Sequence, residues 1–203
     1  MQLSQQLAEY VRACFTGLWI ESHEHQDALV AIAQLCRQED WQLAMWDIDG
    51  VTTNPKHVQA SGKSFRCVFE EIAELFAGTD KPVSVEVNPH LTDWEQIVAE
   101  GLELSRISTN FVIKVGASED GFKAIYELTA QGVRCNATLI FSVAQAWHAA
   151  RAGATFISPF IGRLDDLNVD GMDLIGDIRT IYDNYGYETQ ILAASIRSAN
   201  HMK

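Results

Sequence analysis

The feature that most constrains the fold is the alternation of short apolar runs with amphipathic stretches. The apolar runs show little alternation of apolar and polar residues, which is typical of strands buried on both faces of a parallel sheet. A predicted helix follows almost every run, and this order favours a parallel sheet covered by helices. Strands are predicted near residues 18, 43, 83, 111, 134, 155 and 189, and helices over 3–14, 26–37, 65–76, 93–104, 119–130, 142–152 and 173–182.

The chain of 203 residues is long enough to bury a sizeable core, and its length favours one or two domains. It contains no low-complexity segment, no sequence repeat and no obvious linker between domains. We therefore expect residues 1–203 to form a single α/β domain.

The charge balance limits the classes of partner. Fifteen Lys and Arg residues against 27 Asp and Glu residues give a net charge of −12, with the basic residues scattered. This balance argues against binding to nucleic acids and anionic membranes. No apolar stretch is long enough to span a bilayer. The four cysteines contain no CxxC pair, which favours reduced thiols and a cytoplasmic location.

Polar side chains at the predicted strand ends predict a shared polar cavity, because the carboxyl ends of parallel strands meet at one side of a barrel. They are Asn54 in the run Thr52-Thr53-Asn54-Pro55, Glu86, Lys114, Asn136, Thr138, Ser158, Ser195 and Arg197. Asn54 and Asn136 could hydrogen-bond substrate hydroxyls and Thr138 could hold a water. Taken singly, each such residue is more often a turn or packing residue.

Lys114 is the sharpest candidate, since it interrupts the apolar run Val-Ile-Lys-Val. Burial favours the neutral amine of a lysine, which is a nucleophile toward carbonyl carbons. The alternative is a structural lysine that reaches solvent from the strand end or pairs with Glu86. Glu86 lies between two valines and is suited to proton transfer or to such a pair.

Two arginines predict an anionic ligand group. Arg197 follows Ser195 in a Ser-x-Arg pair, and Arg163 follows the run Ser158-Pro-Phe-Ile-Gly. A guanidinium offers a planar set of donors that suits a phosphate monoester. By contrast, the tract His23-Glu24-His25 lacks a marked third metal ligand, and no glycine-rich nucleotide motif follows a strand.

Six motifs in matched order resemble the transaldolase family, in particular its short, single-domain members, over residues 49–197. They are Asp49-Gly-Val-Thr-Thr-Asn-Pro55, Val83-Ser-Val-Glu-Val87, Ile113-Lys114, Asn136-Ala-Thr-Leu-Ile-Phe-Ser142, Ser158-Pro-Phe-Ile-Gly-Arg163 and Ala194-Ser-Ile-Arg197. The resemblance implies a (β/α)8-type (TIM) barrel of the class I aldolases, without metal or organic cofactor. It also implies the pentose phosphate pathway, with sugar phosphates as substrates.

The resemblance further implies that Lys114 forms a Schiff base with a ketose phosphate such as fructose 6-phosphate or sedoheptulose 7-phosphate. A dihydroxyacetone unit would then pass to an aldose phosphate. Glu86 and Thr138 would hold the water that moves protons. Asn54, Asn136, Ser158 and Phe160 would line the donor site, and Arg163, Ser195 and Arg197 would hold the phosphate. The related fructose-6-phosphate aldolase typically carries Gln at position 86 and Tyr at position 160, so Glu86 and Phe160 favour transaldolase.

Both ends of the chain depart from the family pattern. The aspartate that the family carries on its first strand is missing, and Glu21 in Leu18-Trp-Ile-Glu21-Ser22 stands in the nearest place. Residues 1–48 are therefore a diverged first unit or a foreign segment. The eighth strand is absent, which predicts an incomplete barrel of about seven strands with unpaired edges. A partner chain in a homo-oligomer, an open fold or an inactive binding fragment all remain open.

Overall fold

A computed structural model describes residues 51–53, 55, 58, 63–197 and 201. The chain divides into two units, Met1–Asp47 and Ile48–Lys203, and every described residue belongs to the second unit. The strands predicted near residues 18 and 43 and the helices predicted over 3–14 and 26–37 lie outside the described residues. The same holds for two candidate site residues, Glu21 and Asn54.

The described residues form one sheet of six parallel strands in chain order, β1-β2-β3-β4-β5-β6. The strands are Val51–Thr52 (β1), Val83–Glu86 (β2), Phe111–Gly116 (β3), Cys135–Ile140 (β4), Phe156–Pro159 (β5) and Gln190–Ile191 (β6). Parallel neighbours in sequence order require a crossover between every pair, and here helices supply them. The described residues form an incomplete barrel of the (β/α)8 type, as the sequence predicts.

Helices follow the strands along the chain. They are Phe65–Phe76 (α1), Trp94–Ser105 (α2), Glu119–Ala130 (α3), Val143–Arg151 (α4), Ile161–Asp165 (α5) and Gly171–Tyr185 (α6). All except α5 begin at a Ser or Asp whose side chain accepts a hydrogen bond from the first turn, namely Ser64, Asp93, Ser118, Ser142 and Asp170. These caps satisfy backbone N–H groups that the helix itself leaves unpaired, which fixes where each helix starts.

The main apolar core lies between the sheet and the helices. Alternate residues of β2 and β3, among them Val83, Val85, Ile113 and Val115, are almost fully buried in one cluster with Leu128 of α3. Successive strand residues point to opposite faces of a sheet, so the remaining positions of these strands point into the barrel. Burial of each such aliphatic side chain stabilises the fold by about 1.5–3 kcal/mol.

The structure differs from the sequence prediction at three places. Helix α5 was not predicted, since it has only five residues and the residue before it, Phe160, provides no side-chain cap. Strand β1 at Val51–Thr52 was not predicted, because pairing with β2 defines it and no local pattern encodes that pairing. Strand β6 is shorter than the predicted 189–195, although its hydrogen bonds with β5 continue to Ala194, whose N–H donates to Pro159 O at 2.8 Å.

Candidate active site

The inner face of the sheet carries a row of polar side chains. Lys114 of β3 stands opposite Glu86 of β2 and Asn136 of β4 in the strand register, and Thr138 of β4 stands opposite Ser158 of β5. The two-residue period places Ser84 on the same face as Glu86. Parallel register thus brings together five of the residues predicted from the sequence.

The centre of this row is an ion pair between Lys114 and Glu86. Lys114 Nζ lies 3.0 Å from Glu86 Oε2, and the side chains are only 6% and 12% exposed. Nζ also donates to the backbone oxygen of Thr53 at 3.2 Å, which ties the end of β1 to the amine. A buried ammonium group requires such partners. The pairing that the sequence left as an alternative for Lys114 is therefore present.

Asn136 is fully buried and its side chain amide is held from both sides. Its Nδ2 donates to Ser84 Oγ at 3.0 Å, and its Oδ1 accepts from Ser158 Oγ at 2.9 Å. These bonds link β2, β4 and β5 across the inner face and fix the orientation of the amide. One N–H and one lone pair of Asn136 remain for a ligand.

Two buried oxygens in the row make no hydrogen bond to another described residue: Thr138 Oγ1 and Glu86 Oε2. The contact of Glu86 Oε2 with Lys114 is close enough for an ion pair, yet it does not form a well-directed hydrogen bond. Buried polar atoms are nearly always satisfied, and those that are not indicate a ligand or a functional group. These two oxygens therefore have unused hydrogen-bonding capacity within the described residues.

The end of β4 contains a strained β-bulge. Leu139 has a φ of +61° and is 45% exposed, and the register with β5 shifts between Thr138 and Ile140. A left-handed leucine is unfavourable and persists only where surrounding structure holds it. Beyond the bulge, Phe141 contacts Phe160, with 5.9 Å between their ring centroids. The bulge therefore shapes the rim of the site beside Thr138.

The predicted phosphate-binding residues form a separate group beside α5. Arg163 lies in α5 and is exposed, while Ser195 and Arg197 follow β6. The Arg197 guanidinium pairs with Asp166, immediately after α5. Arg163 pairs with no carboxylate among the described residues. Residues 195–197 thus lie against α5, near the residue that the sequence predicted as their partner.

Three contributors to the site were not predicted: Ser84, the backbone oxygen of Thr53, and Asp166. Ser84 could have been found from its spacing, because it is two residues before Glu86 on a strand. The other two act through tertiary contacts that no local pattern marks. Within the part of the chain that the structure describes, no group of three His, Cys, Asp or Glu side chains is arranged to hold a metal ion. No described helix is long and apolar enough to cross a membrane.

A groove of about 800 Å³ lies elsewhere, on the outer helices. Residues of α2, α3 and α4 line it, among them Trp94, Phe122, Tyr126 and His148. None of the predicted site residues borders this groove. This groove is therefore distinct from the row of polar side chains on the inner face of the sheet.

Sequence comparison relates this chain to a known protein family. Residues 40–203 match the family described as transaldolase/fructose-6-phosphate aldolase. A protein named "probable transaldolase" from Dinoroseobacter shibae is 58% identical over 156 residues, which are 77% of this chain and 70% of the relative. Proteins of the same name from a Ruegeria species and from Leptospira biflexa are 57% identical (76% of this chain, 69% of the relative) and 52% identical (77% and 71%).

Structure comparison supports the architecture. A crystal structure from Coccidioides immitis, described as a fructose-1,6-biphosphate aldolase, superposes with a TM-score of 0.51 at 16% sequence identity. The match covers 86% of this chain and 61% of that protein. At this identity the likeness concerns the fold alone, and it agrees with the barrel-type architecture of the described residues.

Proposed function

The chain belongs to the transaldolase/fructose-6-phosphate aldolase family, and from this premise we propose that it transfers a dihydroxyacetone unit between sugar phosphates through a Schiff base on Lys114. The observation that carries the proposal is the buried Lys114 amine, 3.0 Å from the Glu86 carboxylate. An amine held in an apolar strand beside one carboxylate is suited to attack a carbonyl carbon and to exchange protons.

The proposed reaction begins with addition of the Lys114 amine to the C2 carbonyl of a ketose phosphate. Loss of water gives a protonated imine, whose positive nitrogen accepts the electron pair of the C3–C4 bond. The C4 hydroxyl loses its proton as that bond breaks, and an aldose phosphate leaves. The remaining enamine forms a C–C bond to the carbonyl carbon of a second aldose phosphate, whose oxygen takes up a proton as the nitrogen becomes a protonated imine again. Water then returns to C2 and frees the amine.

Glu86 and Thr138 are the proposed proton-transfer residues. Thr138 Oγ1 and Glu86 Oε2 are the two buried oxygens without a hydrogen-bond partner among the described residues. A water held by such a pair could take up and return the protons that imine formation and hydrolysis require. Asn136 and Ser158 would bind donor hydroxyls with their remaining hydrogen-bonding capacity. Phe160 would line the donor site beside Phe141.

The donors and the cellular setting are also part of this proposal. Fructose 6-phosphate and sedoheptulose 7-phosphate are the proposed donors, in the pentose phosphate pathway and in the cytoplasm. Arg163, Ser195 and Arg197 are the proposed phosphate ligands. A plain aldolase reaction would need no acceptor, so a dependence of donor consumption on added aldose phosphate distinguishes the two activities.

Borohydride trapping with fructose 6-phosphate tests the proposal. Reduction followed by intact-mass and peptide mapping is expected to show a dihydroxyacetone-sized adduct on Lys114. Lys114→Met should abolish the adduct while it keeps the side-chain volume. Lys123→Met is the matched control, because Lys123 is exposed and forms ion pairs with the neighbouring Glu119 and Asp120.

The other outcomes are equally informative. An uncleaved hexose phosphate on Lys114 would mean that the imine forms without C–C cleavage. No adduct on a sample with a cooperative unfolding transition would reject the proposed activity and favour an inactive barrel.

A further inference from the structure

The residues that follow β6 are held against α5 by two adjacent aspartates. Asp166 pairs with the Arg197 guanidinium, and Asp165 Oδ2 lies 2.7 Å from His201 Nε2. Nδ1 of the same histidine accepts the backbone N–H of Arg197 at 3.2 Å. The Arg197 position is thus defined by contacts to its backbone and to its side chain.

The backbone of α5 is packed closely against this segment. A side chain at Gly162 would place its Cβ 2.1 Å from Ser195 O and 2.9 Å from Arg197 Cγ. Ser195 itself has a φ of +61°, a conformation that a non-glycine residue keeps only under constraint. Ala194 O also accepts the N–H of Ile161 at 3.1 Å. The segment therefore has a defined course beside α5.

The two aspartates differ in what they hold. Asp165 Oδ1 accepts the N–H of Gly171 at 3.0 Å, so this carboxylate joins α5, α6 and His201. Asp166 has one side-chain contact among the described residues, which is Nη1 of Arg197. Removal of the Asp165 charge should therefore disturb the fold, whereas removal of the Asp166 charge should disturb Arg197 alone.

We propose that Asp166 is a positioning residue for the phosphate group of the substrate and acts through Arg197. A guanidinium has five N–H groups in a rigid plane, and one carboxylate oxygen at Nη1 leaves the others to a phosphate. The Arg197 side chain is 47% exposed, so a ligand can reach it. A fixed orientation lowers the conformational entropy lost when the phosphate binds. This inference rests on the proposed function, since it assigns Arg197 to phosphate.

The test compares Asp166→Asn with Asp165→Asn and with Asp177→Asn, an exposed site on α6 that serves as the matched control. Each protein is assayed with fructose 6-phosphate and with unphosphorylated fructose as donor. Asp166→Asn is expected to raise KM for the phosphorylated donor about two- to five-fold, the effect of one half-exposed ion pair. Turnover at saturation and the reaction of the unphosphorylated donor should keep their values. Asp166→Glu should restore part of the lost affinity.

A lowered KM in Asp166→Asn would overturn the inference, because it would show that the carboxylate competes with phosphate. If Asp166→Asn lost activity equally with both donors, the inference would also be overturned, because that result would indicate a structural role. Such an equal loss of activity, together with a lower melting temperature, is expected for Asp165→Asn. If the wild-type protein shows no turnover, the inference is tested by calorimetry, which measures the binding of inorganic phosphate to the wild-type protein and to Asp166→Asn. Weaker binding by Asp166→Asn then supports the inference and equal binding rejects it, while borohydride trapping reports on the proposed function separately.

Discussion

Glu86 and Lys114 stand opposite each other in neighbouring parallel strands, with 3.0 Å between Oε2 and Nζ. The sequence offers this pair as one alternative for Lys114, and the contact itself depends on how the two strands are aligned. The register of β2 with β3 brings both to one face of the sheet, where the amine also meets the backbone oxygen of Thr53. The ion pair between Glu86 and Lys114 is therefore a product of strand pairing.

Glu86→Gln should lower turnover by about 10²–10⁴-fold, because an amide keeps the shape of the carboxylate but cannot carry its proton. Steady-state assays with fructose 6-phosphate and an aldose phosphate measure the effect. Glu70→Gln, at an exposed site that pairs with Arg66, is the control and should change turnover little. A Glu86→Gln protein within two-fold of wild type would show that Glu86 carries no essential proton.

Ser84→Ala should lower the free energy of unfolding by about 1–3 kcal/mol, because it leaves the buried Nδ2 of Asn136 without its partner. Urea denaturation measures the change. Ser105→Ala, which removes a part-buried bond to Leu102 O within α2, serves for comparison and should cost less. Equal effects of the two substitutions would mean that Asn136 finds another partner.

Leu139→Gly and Leu139→Val should act in opposite directions on stability. Glycine adopts the observed φ of +61° without strain, and this gain of about 1–2 kcal/mol exceeds the entropic cost of glycine in the unfolded chain. Valine is branched at Cβ, so it fits the left-handed region worse than leucine and should destabilise by about 1 kcal/mol or more. Denaturation midpoints measure the stability of both variants. A Leu139→Gly protein that is less stable than the wild type would show that the backbone at Leu139 is not strained.

Gly176→Ala and Gly121→Ala form a second matched pair. A Cβ at Gly176, inside α6, meets no atom within 4 Å, so alanine should stabilise by about 0.8 kcal/mol through helix propensity. A Cβ at Gly121, in the first turn of α3, would lie 2.0 Å from Gly116 O, so alanine should destabilise by about 2 kcal/mol or more. Thermal unfolding of both variants checks the opposite signs. A stable Gly121→Ala protein would show that the end of β3 can move.

The thiol of Cys135 predicts a loss of stability at alkaline pH. Burial raises its pKa from 9.0 to about 12 in the folded chain. Above pH 9 the unfolded chain therefore loses a proton that the folded chain keeps, and the free energy of unfolding falls as pH rises from 9 to 12. The slope contributed by this one group is at most about 1.4 kcal/mol per pH unit.

Urea midpoints at pH 8, 9, 10 and 11 measure this slope. Cys135→Ala should reduce it, even if the smaller side chain lowers stability at every pH. The remaining slope would include Tyr182, whose pKa burial also raises. An identical slope in wild type and Cys135→Ala would contradict the assignment.

Most helices and strands of the described residues could be predicted because their signals are local. The spacing of Phe65, Phe69 and Phe76 marks one face of α1, and Ser118 before α3 marks a helix start. Where the local signal is weak, the prediction fails. Helix α5 has only five residues, which is too short to show the helical spacing of apolar residues, and it has no capping side chain. No local pattern in the sequence therefore predicts this helix.

The sequence by itself determined that the strands are parallel and helix-covered, that Lys114 interrupts an apolar strand, and which polar residues lie on the strands or at their ends. These are properties of single segments, and the two-residue period assigns each side chain to a face. Only the tertiary structure decided which of those side chains meet. The register of β2, β3, β4 and β5 joined Glu86 to Lys114 and Ser84 to Asn136, and the packing of α5 gave Arg197 an aspartate for a partner. Such contacts depend on distances between segments far apart in the chain, which local patterns do not encode.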